Sequence, residues 1–221
     1  MVKVPFDPQQ LPVDAIAGES PLASERLEVE WLRSRFANPP AWEPEARDHA
    51  VAYRATMTPA AVLIPLVRRP EGLTMLLTRR TAHLTDHAGQ ISFPGGRAEQ
   101  VDASPVETAL RETEEEIGLG REHVEVLGVL PDYLVISGYR VSPVVALVTP
   151  PFELMADPSE VAEIFEVPLA FLMNGMNHQR LSVEQPGPAG RRSFYAMPYE
   201  NFYIWGATAG MLRNLFHFLR A

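Results

Sequence analysis

Residues 95–119 read GGRAEQVDASPVETALRETEEEIGL and carry the most informative pattern in this chain. A glycine pair opens a loop, and Ser104 followed by Pro105 matches the preferred N-cap and first position of a helix. Gly118 is typical of the residue at which a helix ends. The stretch therefore predicts a loop followed by a single helix that runs from Pro105 to the residue before Gly118.

The side chains of this helix separate into faces at about 100° per residue. One face is apolar, and we expect it to pack on a sheet; its members are Val106, Ala109, Leu110, Thr113 and Ile117. Glu112, Glu115 and Glu116 form a separate group on a flank, at spacing i, i+3, i+4. Glu107 and Glu114 point away from the apolar centre, so we expect them to be solvated only.

The three grouped carboxylates repel each other, which indicates that a hard cation lies against them. Oxygen ligands suit magnesium or manganese, whose shells are usually completed by water and substrate phosphates. An acidic run on a helix is more often a solvated surface. The glycine loop, the capped helix, the adjacent Arg111 and Gly118 together favour the metal site over that alternative.

Composition and charge limit the classes of protein. The chain has 221 residues, of which 46% are hydrophobic, so one domain with a sizeable core is expected. The net charge of −9 argues against a nucleic-acid surface, and a bound cation would let such a chain hold an anionic substrate. The absence of cysteine excludes disulfides and thiol nucleophiles. With no signal peptide and no apolar run of membrane length, we expect a soluble cytoplasmic protein without membrane partners.

The rest of the chain predicts a mixed α/β arrangement, with several strands and helices on their faces. Strands are predicted at 60–67, 73–78, 90–93, 124–130, 139–148, 163–167, 178–184, 193–198 and around Tyr203 and Trp205. Pro65 suggests that the first of these is an edge strand or carries a bulge. Helices are predicted at 24–36, 44–52, 168–173 and 208–219. We divide the chain into an N-terminal arm with a peripheral helix, residues 1–45, and a main domain, residues 46–221.

The central stretch resembles the Nudix box, which is a glycine, a loop acid and then Arg-Glu-x-x-Glu-Glu-x-Gly-hydrophobic. Residues 111–119 match each fixed charged or glycine position, and Thr113 replaces the usual aliphatic residue. The spacing from Gly96 to Arg111 is one residue longer than in the common box, and Asp102 stands at the loop acid. In both of these features the chain resembles the coenzyme A pyrophosphatase branch of the Nudix hydrolases.

A second motif upstream resembles the same branch. Residues 76–80 read LLTRR, and Gly89 and the FPGG of residues 93–96 follow at the family spacing. However, Thr81 replaces a serine or alanine, and Thr85 replaces an arginine suited to contact phosphate. Other substrates therefore stay open, such as ADP-ribose, NADH or a dinucleotide, as does a nucleotide-binding sensor without catalysis.

The resemblance implies a Nudix fold, an α+β arrangement in which a mixed β-sheet is sandwiched between helices. It implies metal-dependent cleavage of coenzyme A, or of its derivatives, to 3′,5′-ADP and 4′-phosphopantetheine by water attack on the diphosphate. Mg²⁺ or Mn²⁺ would be held by Glu112, Glu115, Glu116 and the backbone carbonyl of Gly96. The substrate is then a small nucleotide of the coenzyme A class, and a homodimer is common in this fold.

The resemblance also suggests roles around the metal. Arg111 would orient the acids, and Glu115, Glu116 or the downstream Glu160 or Glu163 would serve as general base. Substrate contacts are expected from Arg79, Arg80, Gly95 and Phe93. Arginines at a strand end are often only surface charge, and Phe93 is also a candidate for the core. Aromatic side chains that could stack on adenine, with core packing as the alternative, are Tyr139, Phe202, Tyr203 and Trp205.

Overall fold

A computed structural model describes residues 6–45, 57–83, 88–184 and 190–221. Most of the helix predicted at 44–52 lies outside these ranges, as does Thr85. The strands are β1 Val13–Ile16, β2 Thr58–Arg69, β3 Gly72–Arg80, β4 Ile91–Ser92, β5 Gly95–Arg97, β6 Val124–Val129, β7 Tyr133–Leu134, β8 Tyr139–Val148, β9 Val161–Pro168, β10 Gln179–Glu184, β11 Arg191–Tyr199 and β12 Phe202–Trp205. The helices are α1 Val29–Ala37, α2 Pro105–Ile117, α3 Leu169–Leu172 and α4 Ala207–Arg220.

The predicted strands are all present, and their ends differ from the predicted ends by no more than two residues. The final helix is confirmed as α4, and the peripheral helix is confirmed as α1, preceded by a short 3₁₀ turn at Ser24–Leu27. Three strands were not predicted, namely β1, β5 and β7. Each is too short for an apolar run to distinguish it from a loop. In the described ranges, no helix is long and apolar enough to cross a membrane.

The larger sheet has eight strands in the order β4-β3-β2-β8-β6, with β5 paired to β2, β7 to β8 and β9 to β3. β2 and β8 run parallel, in register from Thr58 opposite Tyr139 to Val67 opposite Val148. Every other pairing that the structure describes is antiparallel. The sheet is therefore mixed, as predicted, and its parallel pair lies at the centre, where near-continuous apolar strands are expected.

The expectation that Pro65 marks an edge strand or a bulge is wrong, because β2 is central. On one side β2 pairs with β8, and on the other it pairs with β5 up to Val62 and with β3 from Leu66. The N–H of Leu63 donates to the carbonyl of Pro94 on this second side. The backbone amide of position 65 faces the same side of β2 as that of Leu63, because the amides of residues two apart on a strand point in the same direction. The N–H that proline lacks thus falls in the gap between two partner strands.

The sheet lies between two helices, which gives the sandwich its layers. Alternate residues of β2 face opposite ways, as strand geometry requires. Leu63 and Val67 pack with Ala109 and Ile117 of α2. On the other face, the core joins Ile64, Leu66 and Met75 of the sheet to Leu212, Leu215 and Phe216 of α4. The predicted sandwich of a mixed sheet between helices is confirmed.

A second, smaller sheet incorporates part of the N-terminal arm. Its four antiparallel strands are ordered β1-β10-β11-β12, and Val13 of β1 lies opposite Leu181 of β10. The helix α1 of the arm packs on β6 of the larger sheet, where Arg33 donates to Glu125. The boundary after residue 45 stays a prediction; residues on both sides of it pack together in the structure.

A buried arginine of α4 joins the arm to the rest of the fold. The side chain of Arg213 is 3% exposed, and its Nη2 donates to Glu19 Oε1 at 2.8 Å, while its Nε donates to Glu45 Oε2 at 3.0 Å. Burial alone would raise the pKa of Glu45, but hydrogen bonds from His217, Arg213 and Tyr195 outweigh it and lower the pKa to about 2. Both carboxylates are therefore charged at neutral pH and compensate the buried guanidinium.

We expect His178 to make the free energy of unfolding depend on pH. Its Nε2 donates to the Leu172 carbonyl at 2.7 Å, and its Nδ1 accepts from Arg213 Nη1 at 3.0 Å, so the two contacts require a neutral ring. Burial lowers the pKa of His178 from 6.5 to about 4. The unfolded chain thus binds a proton near pH 6.5, whereas the folded protein does not until about pH 4. The stability that the neutral ring supplies is full above pH 6.5 and is lost as the pH falls towards 4.

From this group alone, the free energy of unfolding should fall by up to about 3 kcal/mol between pH 7 and pH 4. Urea unfolding across that range measures it, with His178→Gln as the comparison, because glutamine does not titrate. The fall should be smaller in the variant than in the wild type. An identical pH dependence in the two proteins would contradict the prediction.

Candidate active site

The helix α2 begins and ends as predicted. The Ser104 hydroxyl accepts from the N–H of Glu107 at 3.3 Å, and the chain leaves the helix at Gly118, whose φ is 68°. Glu107 and Glu114 pair with Arg121 at 2.8 and 3.5 Å, with all three side chains at least 43% exposed. These two acids are surface residues, as predicted.

The grouped acids differ sharply in burial. The side chain of Glu116 is 5% exposed, that of Glu112 is 17% exposed, and that of Glu115 is 61% exposed. Glu116 Oε2 accepts from the N–H of Gly95 at 3.1 Å, and its Oε1 lies 3.7 Å from Nη1 of Arg80. The glycine loop and the end of β3 therefore meet at the innermost carboxylate.

Burial is the main cause of the altered titration of these acids. Burial raises the pKa of Glu116 to about 8; Gly95 and Arg80 oppose the shift, while the charges of Glu160 and Glu112 add to it. Burial likewise raises the pKa of Glu112, although Arg111 opposes this. Burial and the neighbouring acids thus disfavour the charged forms of these carboxylates, and an oxygen-ligated divalent cation would stabilise those charged forms.

Arg111 forms a bidentate ion pair with the loop acid, Asp102. Its Nε and Nη2 donate to the two carboxylate oxygens of Asp102, each at 3.0 Å, and this pairing holds the pKa of Asp102 well below its usual range. Its Nη1 lies 3.0 Å from both Glu112 Oε1 and Glu115 Oε2, and its Nη2 also donates to the Arg97 carbonyl. The arginine thus connects the loop to two of the three grouped acids.

Among the described residues, no three histidine, aspartate or glutamate side chains stand together at the spacing of a formed metal site. Glu112 and Glu115 instead both pair with Nη1 of Arg111. The donor set still fits a hard cation in its chemistry. It offers carboxylate oxygens on one helical turn and a backbone that approaches them closely at Gly96, where a Cβ would lie 2.6 Å from Glu112 Oε1.

Gly95 allows β5 to lie close against the backbone of β2, opposite Val62. Its φ of 148° is strained for other residues, and a Cβ there would lie 2.6 Å from the Cα of Val62. Gly95→Ala should therefore lower the free energy of unfolding by about 2 to 3 kcal/mol, as measured by urea unfolding.

Gly72→Ala is the matched control for this prediction. Gly72 has a φ of 123°, and a Cβ there meets nothing within 4 Å. Gly72→Ala has the same kind of backbone strain as Gly95→Ala but no steric clash, so its free energy of unfolding should fall by only about 1 kcal/mol. Equal losses in the two variants would show that the approach of Gly95 to β2 is not what requires glycine.

Glu160, a predicted site residue, lies in the turn at residues 157–160, which packs beside the end of α2 and brings Glu160 close to the acids. Its Oε2 lies 3.7 Å from Nη2 of Arg80, which also contacts Glu116. The N–H of Asp157 donates to the Glu116 carbonyl, and the N–H of Thr81 donates to the Glu160 carbonyl, both at 2.9 Å. The turn is thus tied both to the helix end and to the chain after β3.

Two side chains without a predicted role also hold this turn. The hydroxyl of Thr81 donates to the carbonyl of Ser159 at 3.2 Å, and Nε2 of His83 lies 3.1 Å from the same oxygen. These contacts join segments more than 70 residues apart, since the separations are 78 and 76 positions. The sequence carries no local signal for such contacts.

Two predicted substrate contacts lie away from the acids. Arg79 faces the opposite side of the sheet from Arg80, pairs with Glu163 at 3.3 Å and places its guanidinium 4.9 Å from the ring centroid of Phe202. The ring of Phe93 is 2% exposed, within the core on the α4 face. This burial agrees with the alternative that Phe93 belongs to the core, and its contact with substrate stays a prediction.

The comparisons with known proteins agree with this fold. The model of the NUDIX domain family matches residues 57–183. A relative from Escherichia coli O139:H28, described as uncharacterized Nudix hydrolase NudL, is 44% identical over 189 residues, which are 86% of this chain and 93% of the relative. A NudL relative from Shigella boydii serotype 18 is 44% identical over 156 residues, 71% of this chain and 80% of its own.

Solved structures give weaker likenesses. The Nudix hydrolase RenU from M. smegmatis has a TM-score of 0.45 at 24% identity, covering 58% of this chain and 80% of its own. A MutT/nudix family protein from Enterococcus faecalis has a TM-score of 0.46 at 16% identity, covering 85% of this chain and 73% of its own. The family match and the NudL relatives show that the chain belongs to the Nudix family. It is a hydrolase that acts on diphosphate bonds.

Proposed function

We propose that this Nudix hydrolase cleaves coenzyme A, or a derivative of it, to 3′,5′-ADP and 4′-phosphopantetheine. The observation that supports hydrolysis at this site is that buried Glu116 accepts from the Gly95 N–H and lies beside Arg80, which also contacts Glu160. The coenzyme A class is supported by the resemblance of the upstream motif, residues 76–96, to that of the coenzyme A pyrophosphatases. It is also supported by Asp102, which lies in the lengthened loop and accepts two hydrogen bonds from Arg111.

The proposed ligands of the cation, Mg²⁺ or Mn²⁺, are Glu112, Glu115 and Glu116 with the backbone carbonyl of Gly96. Glu115 is exposed, so it can turn away from Arg111 towards the other two at small cost. When bound, the cation neutralises charge on the diphosphate and activates water. Arg111, fixed by Asp102, orients the acids, as is typical of residues that hold metal ligands in place.

In the proposed reaction, water attacks one phosphorus and the bridging P–O bond breaks, so the electron pair leaves with the other phosphate. Arg80 faces the two acids and is placed to bind a phosphate oxygen. Glu160 lies beside Arg80 and is a candidate to accept the proton of the water; Glu115 and Glu116 are the alternatives. Arg79 is on the other face of the sheet, so its proposed contact is with a more distant part of the substrate.

The second candidate is a Nudix hydrolase for ADP-ribose, NADH or a dinucleotide. Thr85 favours it, because the coenzyme A branch carries an arginine at that position. A sensor that binds a nucleotide without cleaving it is less well supported, since the three grouped acids are all present.

A substrate panel separates these candidates. The protein is incubated with magnesium and either coenzyme A, ADP-ribose, NADH or a diadenosine polyphosphate, and products are identified by mass spectrometry. We expect coenzyme A to have the highest kcat/KM and to yield 3′,5′-ADP. Cleavage of ADP-ribose far faster than of coenzyme A would overturn the proposed substrate. Light scattering tests the expected homodimer, and the cytoplasmic location stays a prediction.

A further inference from the structure

A cavity of about 420 Å³ lies on the face of the larger sheet opposite α2. One wall is the N-terminal turn at residues 6–9, another is β12, and the third combines Arg79 with the loop at residues 88–91. The volume is in the range of small-molecule sites, about 300 to 1,000 Å³. Of the roles suggested above, the contact of Arg79 and the stacking of Tyr203 and Trp205 involve residues of this cavity.

The cavity and the carboxylate site share one end of β3. Arg79 lines the cavity, whereas the next residue, Arg80, faces Glu116 on the other side of the sheet. The N–H of Arg80 donates to the Gln90 carbonyl at 3.0 Å, and the N–H of Gly89 donates to the Arg80 carbonyl at 3.2 Å. The loop that lines the cavity is thus bonded directly to the backbone of the arginine at the acids.

The lining includes a carboxylate, that of Asp7, whose two oxygens accept from the Gln9 N–H and from Gln10 Nε2. Three other kinds of group also line the cavity. Aromatic rings are supplied by Phe6, Tyr203 and Trp205, side-chain amides by Gln9, Gln90 and Asn201, and a cation by Arg79. Aromatic faces stack on bases, amides pair with the donor and acceptor edges of bases, and guanidinium groups bind phosphate. A nucleoside that carries phosphate offers a matching partner to each of these groups.

The N-terminal turn is held in place as a wall of the cavity. Tyr203 donates its hydroxyl hydrogen to the Pro8 carbonyl at 3.2 Å, and the ring of Phe6 stacks on Phe194 with centroids 5.9 Å apart. The side chain of Asp7 accepts from the N–H of Gln9 at 3.0 Å, which caps the turn. This wall lies outside residues 57–183, which match the family model.

We propose that the cavity is a nucleobase subsite, in which the N-terminal turn helps to bind the base of the substrate. This rests on the proposed function in one respect, namely that the substrate is a nucleotide whose diphosphate lies at the carboxylates. The base then occupies the cavity, and the phosphates pass around the end of β3 from Arg79 to Arg80. Recognition of the base thus depends partly on a segment outside the domain core.

Binding of adenosine tests the subsite without any hydrolysis. Isothermal titration calorimetry of the full chain, in the absence of metal, should show saturable binding of adenosine and none of ribose. Ala88→Trp should weaken binding by about tenfold or more, because the exposed position 88 lines the cavity and a tryptophan there fills it. Gln100→Ala is the control; Gln100 is exposed and does not line the cavity, so binding should be unchanged.

Kinetics test whether the base belongs to the substrate that is cleaved. Gln9→Ala and Ala88→Trp should raise KM for the best substrate of the panel, while kcat stays within about twofold of wild type. Adenosine binding that is equal in wild type and Ala88→Trp would overturn the subsite, as would an unchanged KM in both variants. If the wild-type protein hydrolyses no compound of the panel but binds adenosine, and Ala88→Trp weakens that binding, the proposed function is overturned. The nucleobase subsite is supported in that case.

Discussion

Replacing Glu116 by glutamine is expected to lower kcat by about 10³-fold and to leave the fold intact. The carboxylate is 5% exposed, and its two oxygens already contact the Gly95 N–H and the Arg80 guanidinium. Glutamine keeps the shape but removes the charge on which a divalent cation would depend. Because a buried charge costs free energy, the neutral side chain should not lower the free energy of unfolding.

The measurement is steady-state hydrolysis of the best substrate of the panel at saturating magnesium, with urea unfolding as the check on folding. Glu114→Gln is the matched control, because Glu114 lies on the same helix but pairs with Arg121 on the surface. Its kcat should stay within about twofold of wild type. A Glu116→Gln protein that turns over as fast as Glu114→Gln would show that the acids of α2 do not form the active site.

Replacing Arg213 by methionine is expected to lower the free energy of unfolding by about 3 to 5 kcal/mol. The guanidinium is 3% exposed and joins Glu19 and Glu45 of the arm to α4. It also donates to Nδ1 of buried His178. Methionine fills similar space, but two carboxylates and a ring nitrogen lose their charged partner. The loss therefore arises mainly from groups left unpaired in a poorly hydrated place.

Urea unfolding at pH 7 measures this loss as a lower midpoint with an unchanged slope. Arg121→Met is the matched control; its pairs with Glu107 and Glu114 are exposed, so the loss should be below about 1 kcal/mol. Adding Glu45→Gln to Arg213→Met should recover part of the loss, because it removes one unpaired charge. Similar losses for Arg213→Met and Arg121→Met would refute the idea that Arg213 holds the arm to the fold.

Secondary structure was predictable where a pattern repeats within a few residues. Continuous apolar runs indicated β2 and β8, and Ser104 and Gly118 set the ends of α2. Pro65 was misinterpreted because the gap between β5 and β3 is formed by strands from other parts of the chain. The short strand β1 was missed for a similar reason, since it depends on pairing with β10, far along the sequence.

The features of the candidate site likewise divide into those predictable from local spacing and those that depend on distant parts of the chain. The spacing of the acids was enough to predict which of them share one flank of α2, because the direction of a side chain on a helix depends only on its position along the helix. The tertiary structure was needed to show that Glu116 is buried while Glu115 is exposed, and that Arg80 lies beside Glu116 while Arg79 pairs with Glu163. Spacing along one element follows from local backbone geometry, whereas burial and charge partners depend on segments that only folding brings together.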